Sequence, residues 1–87
     1  MQITIHGWDG RRPDRSESQT LSGETALDIV RGMMAVPFAS QLTPREFMAQ
    51  TLRRVSSRGR EVLPADEALA AVAYLFRLEE LGIAERV

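Results

Sequence analysis

The sequence predicts a small α+β domain in which an antiparallel β-hairpin packs against three α-helices. Three observations predict this fold class: an alternating segment at the start of the chain, a polar turn-rich segment after it, and then three segments with helical periodicity. The chain has 87 residues, which is enough for one modest core. We therefore expect residues 1–87 to form a single domain.

The N-terminal segment predicts the hairpin. Polarity alternates over residues 2–6, with Ile3 and Ile5 on one face, which is typical of a half-buried strand. The following segment is polar and contains glycines and a proline, so we expect a turn-rich loop there. Residues 18–21 are a possible second strand that closes the hairpin, although Asp9–Gly10 offers an earlier turn.

Two helices follow the hairpin. We expect the first at about residues 24–35, capped by Ser22–Gly23, and the second at about residues 44–57. The second helix has the clearest start signal in the chain. Thr43 and Glu46 have the spacing of a capping box, and a proline occupies the first helical position between them.

The last helix, expected at about residues 64–81, is strongly apolar on two sides, whereas a surface helix normally has one apolar side. We expect it to be central in the fold, with the side that holds Val72, Leu75 and Phe76 buried in the core. The two apolar rows are Ala65, Ala68, Leu69, Val72, Leu75 and Phe76 on one side, and Ala70, Ala71, Tyr74, Leu78 and Leu81 on the other.

The second apolar row poses the main functional question, because it either completes the core or meets a partner. We predict a non-enzymatic interaction protein or homo-oligomer whose interface centres on Tyr74, Leu78 and Leu81. Trp8 belongs to the same predicted interface if it is exposed, because an exposed tryptophan beside arginines has the composition of an interface hot spot.

The remaining segments carry smaller expectations. Residues 61–63 are a possible third edge strand, and residues 84–87 are expected to form a loose tail. Gly82 is expected to end the last helix, with Ile83 folding back on Leu78 in a Schellman ending.

An arginine cluster supports an alternative function, which is nucleic-acid binding. Arg53, Arg54, Arg58 and Arg60 lie at or just beyond the end of the second helix, where they can contact phosphate. Positive charge at this end also complements the helix dipole, which explains the cluster without a ligand. The formal net charge of the chain is −1, so no overall field favours nucleic acid or an acidic membrane.

Candidate catalytic or metal-binding residues are few. The single histidine, His6, has Asp9, Asp14, Ser16 and Ser18 near it in the sequence. These residue types occur in nucleophilic and metal sites, but their spacing supports neither kind of site. We therefore expect no catalytic residue, no cofactor and no metal.

Composition also bears on the compartment. The chain has no cysteine, which excludes disulfides and thiolate chemistry. No segment has the length and apolarity of a membrane span, and the first residues lack the pattern of a signal peptide. We expect a cytoplasmic protein that does not bind membranes.

Several short features together resemble a known group of proteins. They are Ile3 and Ile5 in the hairpin, Met33 and Met34 at a helix end, the turn Pro37–Phe38, the pair Phe47–Met48, and the ending Leu81–Gly82–Ile83. In this layout the chain resembles small uncharacterised α+β proteins of bacterial prophages and mobile elements. The resemblance covers most of the chain and implies no activity, cofactor or site.

Overall fold

The structure, a computed structural model, describes residues 1–55 and 63–87 and has the predicted α+β fold. Within these residues, a three-stranded antiparallel sheet packs against three α-helices. The strands are β1 (Gln2–Trp8), β2 (Pro13–Ser22) and β3 (Ala84–Arg86), in the spatial order β2-β1-β3. The first strand is therefore the central one.

β2 is longer than the possible second strand at residues 18–21, so the hairpin that it forms with β1 is also longer than expected. Trp8 pairs with Pro13, so the chain returns at the earlier of the two turns considered from the sequence. In this turn the Asp9 carboxylate accepts the backbone N–H groups of Arg11 and Arg12. A short acidic side chain thus satisfies the donors that the tight turn leaves unpaired.

A large bulge interrupts β2. His6 pairs with Ser18, whereas the next residue, Gly7, pairs with Asp14, so residues 15–17 have no partner in β1. The bulge therefore lies beside the single histidine of the chain and contributes to its surroundings.

The end of the chain forms a strand, so the expected loose tail at residues 84–87 is wrong. Ala84 pairs with Ile5, and Glu85 pairs with Thr4, along the second edge of β1. This pairing supplies the backbone hydrogen bonds that β1 needs on that edge. The other possible third strand, at residues 61–63, falls mostly outside the described residues.

The three helices are α1 (Ala26–Met33), α2 (Pro44–Val55) and α3 (Glu67–Glu80), and each corresponds to a predicted helix. A short 3-10 turn at Pro37–Ala39 follows α1. Proline disfavours the helical conformation in the residue before it, which separates this turn from α1.

Side-chain caps fix where α1 and α2 begin. The predicted capping box is present at α2, because Thr43 accepts the N–H of Glu46 and the Glu46 carboxylate accepts the N–H of Thr43. At α1 the same device is made by Thr25 and Asp28, so the expected cap at Ser22–Gly23 is wrong. The box forms where both of its partners have the required spacing.

Both ends of α3 are also capped. Asp66 accepts the N–H of Leu69 at 3.0 Å. At the other end Gly82 has a φ of 78°, and the N–H of Ile83 donates to the carbonyl of Leu78 at 2.9 Å. This is the predicted Schellman ending, and it directs the chain into β3.

The core lies between the sheet and the helices, and α3 packs against α1, α2 and β3. One side of α3 remains exposed to solvent, so the expected central placement of this helix is not confirmed. The largest fully buried side chains are Tyr74, Ile3, Ile29, Met48, Leu78 and Val30.

Candidate functional site

One side of α3 is an exposed apolar surface. Leu69, Val72 and Phe76 are 60%, 55% and 57% exposed. Their spacing of three and four residues aligns them along the helix over roughly 10 Å, and together they form the α3 strip. Single exposed apolar side chains are common, whereas a continuous patch of large ones marks an interaction surface.

The structure reverses the orientation that we expected for α3. Tyr74 and Leu78, predicted at the centre of an exposed interface, are only 1% and 2% exposed. Val72 and Phe76, predicted in the core, belong to the exposed α3 strip. Leu75 is buried as predicted.

Two properties of the buried row account for this orientation. Ala70 and Ala71 are fully buried, and such small side chains allow neighbouring helices to approach closely. Tyr74 has a hydrogen-bond partner, because its hydroxyl lies 2.8 Å from Oγ1 of Thr51. Thr51 itself donates to carbonyls one turn earlier in α2, so Tyr74 is the donor in this pair. Burial raises the pKa of Tyr74 to about 12, which keeps the hydroxyl protonated.

The other two predicted interface residues are half-buried. Leu81 and Trp8 both pack against the core. Neither is therefore a freely exposed anchor, and the predicted interface of Tyr74, Leu78, Leu81 and Trp8 does not form one surface in this structure.

Charges near the C-terminal end of the α3 strip are paired within the chain. Glu80 forms an ion pair with Arg77 at 3.7 Å, and Glu79 accepts a hydrogen bond from Arg86 at 2.9 Å. At the N-terminal end Asp66 is occupied as the helix cap. Glu67, in the first turn of the same helix, lies where the helix dipole favours negative charge.

His6 belongs to a polar cluster that residue spacing does not indicate. Its Nδ1 atom lies 2.7 Å from Oγ of Ser18, and its Nε2 atom lies 3.6 Å from a carboxylate oxygen of Glu85. Glu85 also forms an ion pair with Arg15. Ser18 was one of the candidate site residues near His6 in the sequence. Glu85 is brought close to His6 by the pairing of β1 with β3, and Arg15 by the bulge in β2.

The hydroxyl of Ser18 has two hydrogen-bond partners in this cluster. It lies 3.0 Å from the carbonyl of Arg15, which can only accept, and the direction of its contact with Nδ1 of His6 depends on the tautomer of the histidine. A nucleophilic serine donates its proton to the histidine. In the described part of the chain, Nε2 of His6 has no hydrogen-bond partner, because the Glu85 carboxylate is beyond hydrogen-bond distance.

The remaining candidates near His6 stabilise turns. Hydrogen bonds from the backbone of Arg11 and Arg12 lower the pKa of Asp9. Hydrogen bonds from the hydroxyl and the backbone of Ser16 lower the pKa of Asp14. Among residues 1–55 and 63–87, no three histidine, aspartate or glutamate side chains are grouped closely enough to hold a metal ion.

The predicted nucleic-acid surface lies partly within the described residues. Arg53 and Arg54 are exposed in the last turn of α2. Arg58 and Arg60 lie outside the described residues, so the geometry of the four-arginine cluster stays a prediction.

A cavity of about 270 Å³ lies where β1 meets α2 and α3, and is referred to as the hairpin cavity. The sequence offers little signal for it, because its wall is assembled from residues that are distant in the chain. Its lining residues are Ile5, His6, Trp8, Met33, Thr51, Arg54, Val55, Tyr74, Leu78 and Ile83.

The α3 strip, the exposed arginines at the end of α2, the His6 cluster and the hairpin cavity are the features of the described residues that bear on function. No helix among the described residues has the length and apolarity needed to cross a membrane. No protein-family model, curated protein or solved structure matches this chain.

Proposed function

We propose that this protein is an interaction module that self-associates through the α3 strip, with a second copy of the chain as the occupant of that surface. The observation that carries the proposal is the alignment of Leu69, Val72 and Phe76, each more than half exposed, on one side of a capped helix. This keeps the C-terminal helix as the predicted interface and changes the side of the helix that forms it.

The proposed dimer pairs two α3 helices in antiparallel orientation around a two-fold axis near Val72. Two-fold dimers are the commonest closed assemblies, and they bury the same patch on both copies. The antiparallel arrangement sets Leu69 of each copy opposite Phe76 of the other. Ala68 is exposed in the first turn of α3, next to Leu69, and such a small side chain permits close approach of the helices.

Electrostatics permits this pairing. The C-terminal end of each α3 carries Glu79 and Glu80, which already have arginine partners in their own chain. This end meets the N-terminus of the other α3, where the helix dipole favours negative charge and opposes the repulsion from Asp66 and Glu67. The net charge of −1 adds little repulsion between copies.

The expected dimer is weak. Burying the exposed parts of these three side chains on both copies contributes roughly 5–10 kcal/mol. Association costs at least about 4 kcal/mol in lost translational and rotational freedom. The difference, at most about 6 kcal/mol, corresponds to a Kd of roughly 50 µM or weaker.

Sedimentation velocity over a concentration series from about 10 µM to 1 mM tests the proposal, since this range brackets the expected Kd. We expect the weight-average mass to rise with concentration. Val72→Glu is expected to weaken the dimer by at least about tenfold, because it buries two charges at the two-fold axis. Val36→Glu is the matched control, because Val36 is 38% exposed and lies outside α3.

A protein that stays monomeric over this series contradicts the proposal, as does equal dimerisation of the Val72→Glu and Val36→Glu variants. Orientation is tested separately in a chain that has no native cysteine. Val72→Cys is expected to form a disulfide-linked dimer under oxidation, while Ala65→Cys is expected to remain reduced. Efficient cross-linking of Ala65→Cys would indicate a parallel pair.

Nucleic-acid binding is a second proposal, supported by the adjacent exposed positions of Arg53 and Arg54 at the end of α2. Contacts from these side chains to phosphate would be independent of base sequence and sensitive to salt. Fluorescence anisotropy with a labelled generic duplex at low salt is the test. We expect binding that Arg53→Gln weakens, and an unchanged anisotropy would remove this function.

A further inference from the structure

The hairpin cavity has the character of a small-molecule site rather than of a packing defect. Its volume of about 270 Å³ approaches the lower end of the roughly 300–1,000 Å³ typical of ligand pockets. Apolar side chains form most of its wall, and a few polar groups converge on it, which is the usual composition of such sites. Among the described residues, the apolar part of the wall is formed by Ile5, Trp8, Met33, Val55, Leu78 and Ile83.

The volume limits what can enter. An apolar cavity of about 150 Å³ holds one benzene molecule. The hairpin cavity is nearly twice that size, so it has room for one aromatic ring with a short side chain. Trp8 in the wall offers an aromatic surface that an incoming ring can meet edge-to-face or offset.

The polar groups of the cavity wall determine which substituent on the ligand's ring is favoured. Among the lining residues of the described chain, Arg54 alone carries a permanent charge, and it is exposed at the end of α2. A guanidinium pairs with a planar carboxylate through two parallel hydrogen bonds. Tyr74 donates a hydrogen bond to Thr51 and stays neutral, so it does not compete with a ligand carboxylate for Arg54.

We propose that the hairpin cavity binds a small aromatic carboxylate, with the ring among the apolar side chains and the carboxylate on Arg54. This site is separate from the α3 strip, because the strip residues are absent from the cavity wall. Binding here and self-association through α3 are therefore independent properties of the protein.

The probe is 3-phenylpropanoate, and the matched neutral probe is 3-phenylpropan-1-ol. Trp8 is the only tryptophan in the chain and lines the cavity, so its fluorescence reports binding directly. We expect a saturable change with a Kd of about 1 mM for the acid. The alcohol is expected to bind about tenfold more weakly, because it lacks the charge-assisted pair with Arg54.

Two variants separate the charge from the cavity. Arg54→Gln is expected to remove the preference for the acid, whereas Arg53→Gln, at the adjacent exposed position outside the cavity wall, is expected to keep it. Val55→Phe is expected to fill the cavity and abolish binding of both probes. Circular dichroism checks that each variant is folded, and Arg54→Gln decides the result if Val55→Phe is not.

The proposal is overturned if the acid gives no saturable change, or if the acid and the alcohol bind equally well to the native protein. Equal behaviour of the Arg53→Gln and Arg54→Gln variants overturns it as well. Because the readout is Trp8 fluorescence and not mass, failure here leaves the proposed dimer unaffected, and the converse also holds.

Discussion

The two sides of α3 are nearly equal in apolar character but have opposite surroundings. The buried side holds Tyr74 and Leu78, and the exposed side holds Leu69, Val72 and Phe76. By hydrophobicity alone the exposed side, with its phenylalanine, is the better candidate for the core. The comparison teaches that the neighbouring elements determine which side is buried. The buried side has small residues that let another helix pack closely, and its polar hydroxyl has a hydrogen-bond partner.

The largest expected effect compares two leucines of the same helix. Leu78→Ala is expected to lower the free energy of unfolding by about 2–5 kcal/mol, because it leaves a cavity in the core. Leu69→Ala is expected to change it by less than about 1 kcal/mol, because Leu69 is largely exposed. Urea unfolding of both variants below the concentration of self-association measures the difference. Similar losses for the two variants would mean that the assigned orientation of α3 is wrong.

An intermediate effect concerns the hydroxyl on the buried side. Tyr74 is the only tyrosine in the chain, and burial raises its pKa from 10.0 to about 12. Between these pH values the unfolded chain loses a proton that the folded protein keeps, so stability falls as pH rises. We expect the free energy of unfolding to fall by about 2–3 kcal/mol between pH 10 and pH 12 and to show no such fall below pH 10.

Tyr74→Phe provides the control for this pH dependence. Phenylalanine cannot ionise, so unfolding curves of this variant are expected to lack the tyrosine contribution to the loss between pH 10 and pH 12. An unchanged pH dependence would contradict the burial of the hydroxyl. The same variant leaves Thr51 without its side-chain partner, which is expected to cost about 1 kcal/mol at neutral pH.

The smallest expected effect on stability concerns the N-terminal cap of α3, which supports the buried and the exposed side alike. Asp66→Ala removes the acceptor for the N–H of Leu69 and is expected to destabilise the protein by about 1 kcal/mol. Asp66→Asn keeps a good capping side chain and is expected to restore most of that loss. Thermal unfolding of the two variants measures the difference, and equal midpoints would rule out a role for the cap.

Local signals in the sequence predicted the fold class and several element ends. The capping box of Thr43 and Glu46 and the Schellman ending at Gly82 depend on residues a few positions apart, so the sequence displays them directly. The α1 cap was misplaced because Ser22–Gly23 and Thr25 are all acceptable capping residues. Only the position of Asp28 distinguishes them.

Features that depend on distant residues were not predictable in the same way. β3 is short and mostly charged, and it becomes a strand because β1 offers a free edge. The meeting of His6 with Glu85 follows from that pairing and has no signature in spacing. The side of α3 that is buried, and therefore the α3 strip, depends on the packing of α1 and α2 against it.

The position of β3 has a consequence for the order in which the molecule assembles. The edge of β1 is completed by residues 84–86, so the chain must be synthesised at least as far as Arg86 before the sheet can close. The hairpin can form early, but one edge of β1 then presents unpaired backbone groups that other nascent chains can bind. Contacts this distant in sequence also slow folding. A chain shortened before Ala84 is therefore expected to aggregate during synthesis rather than merely to lose a surface strand.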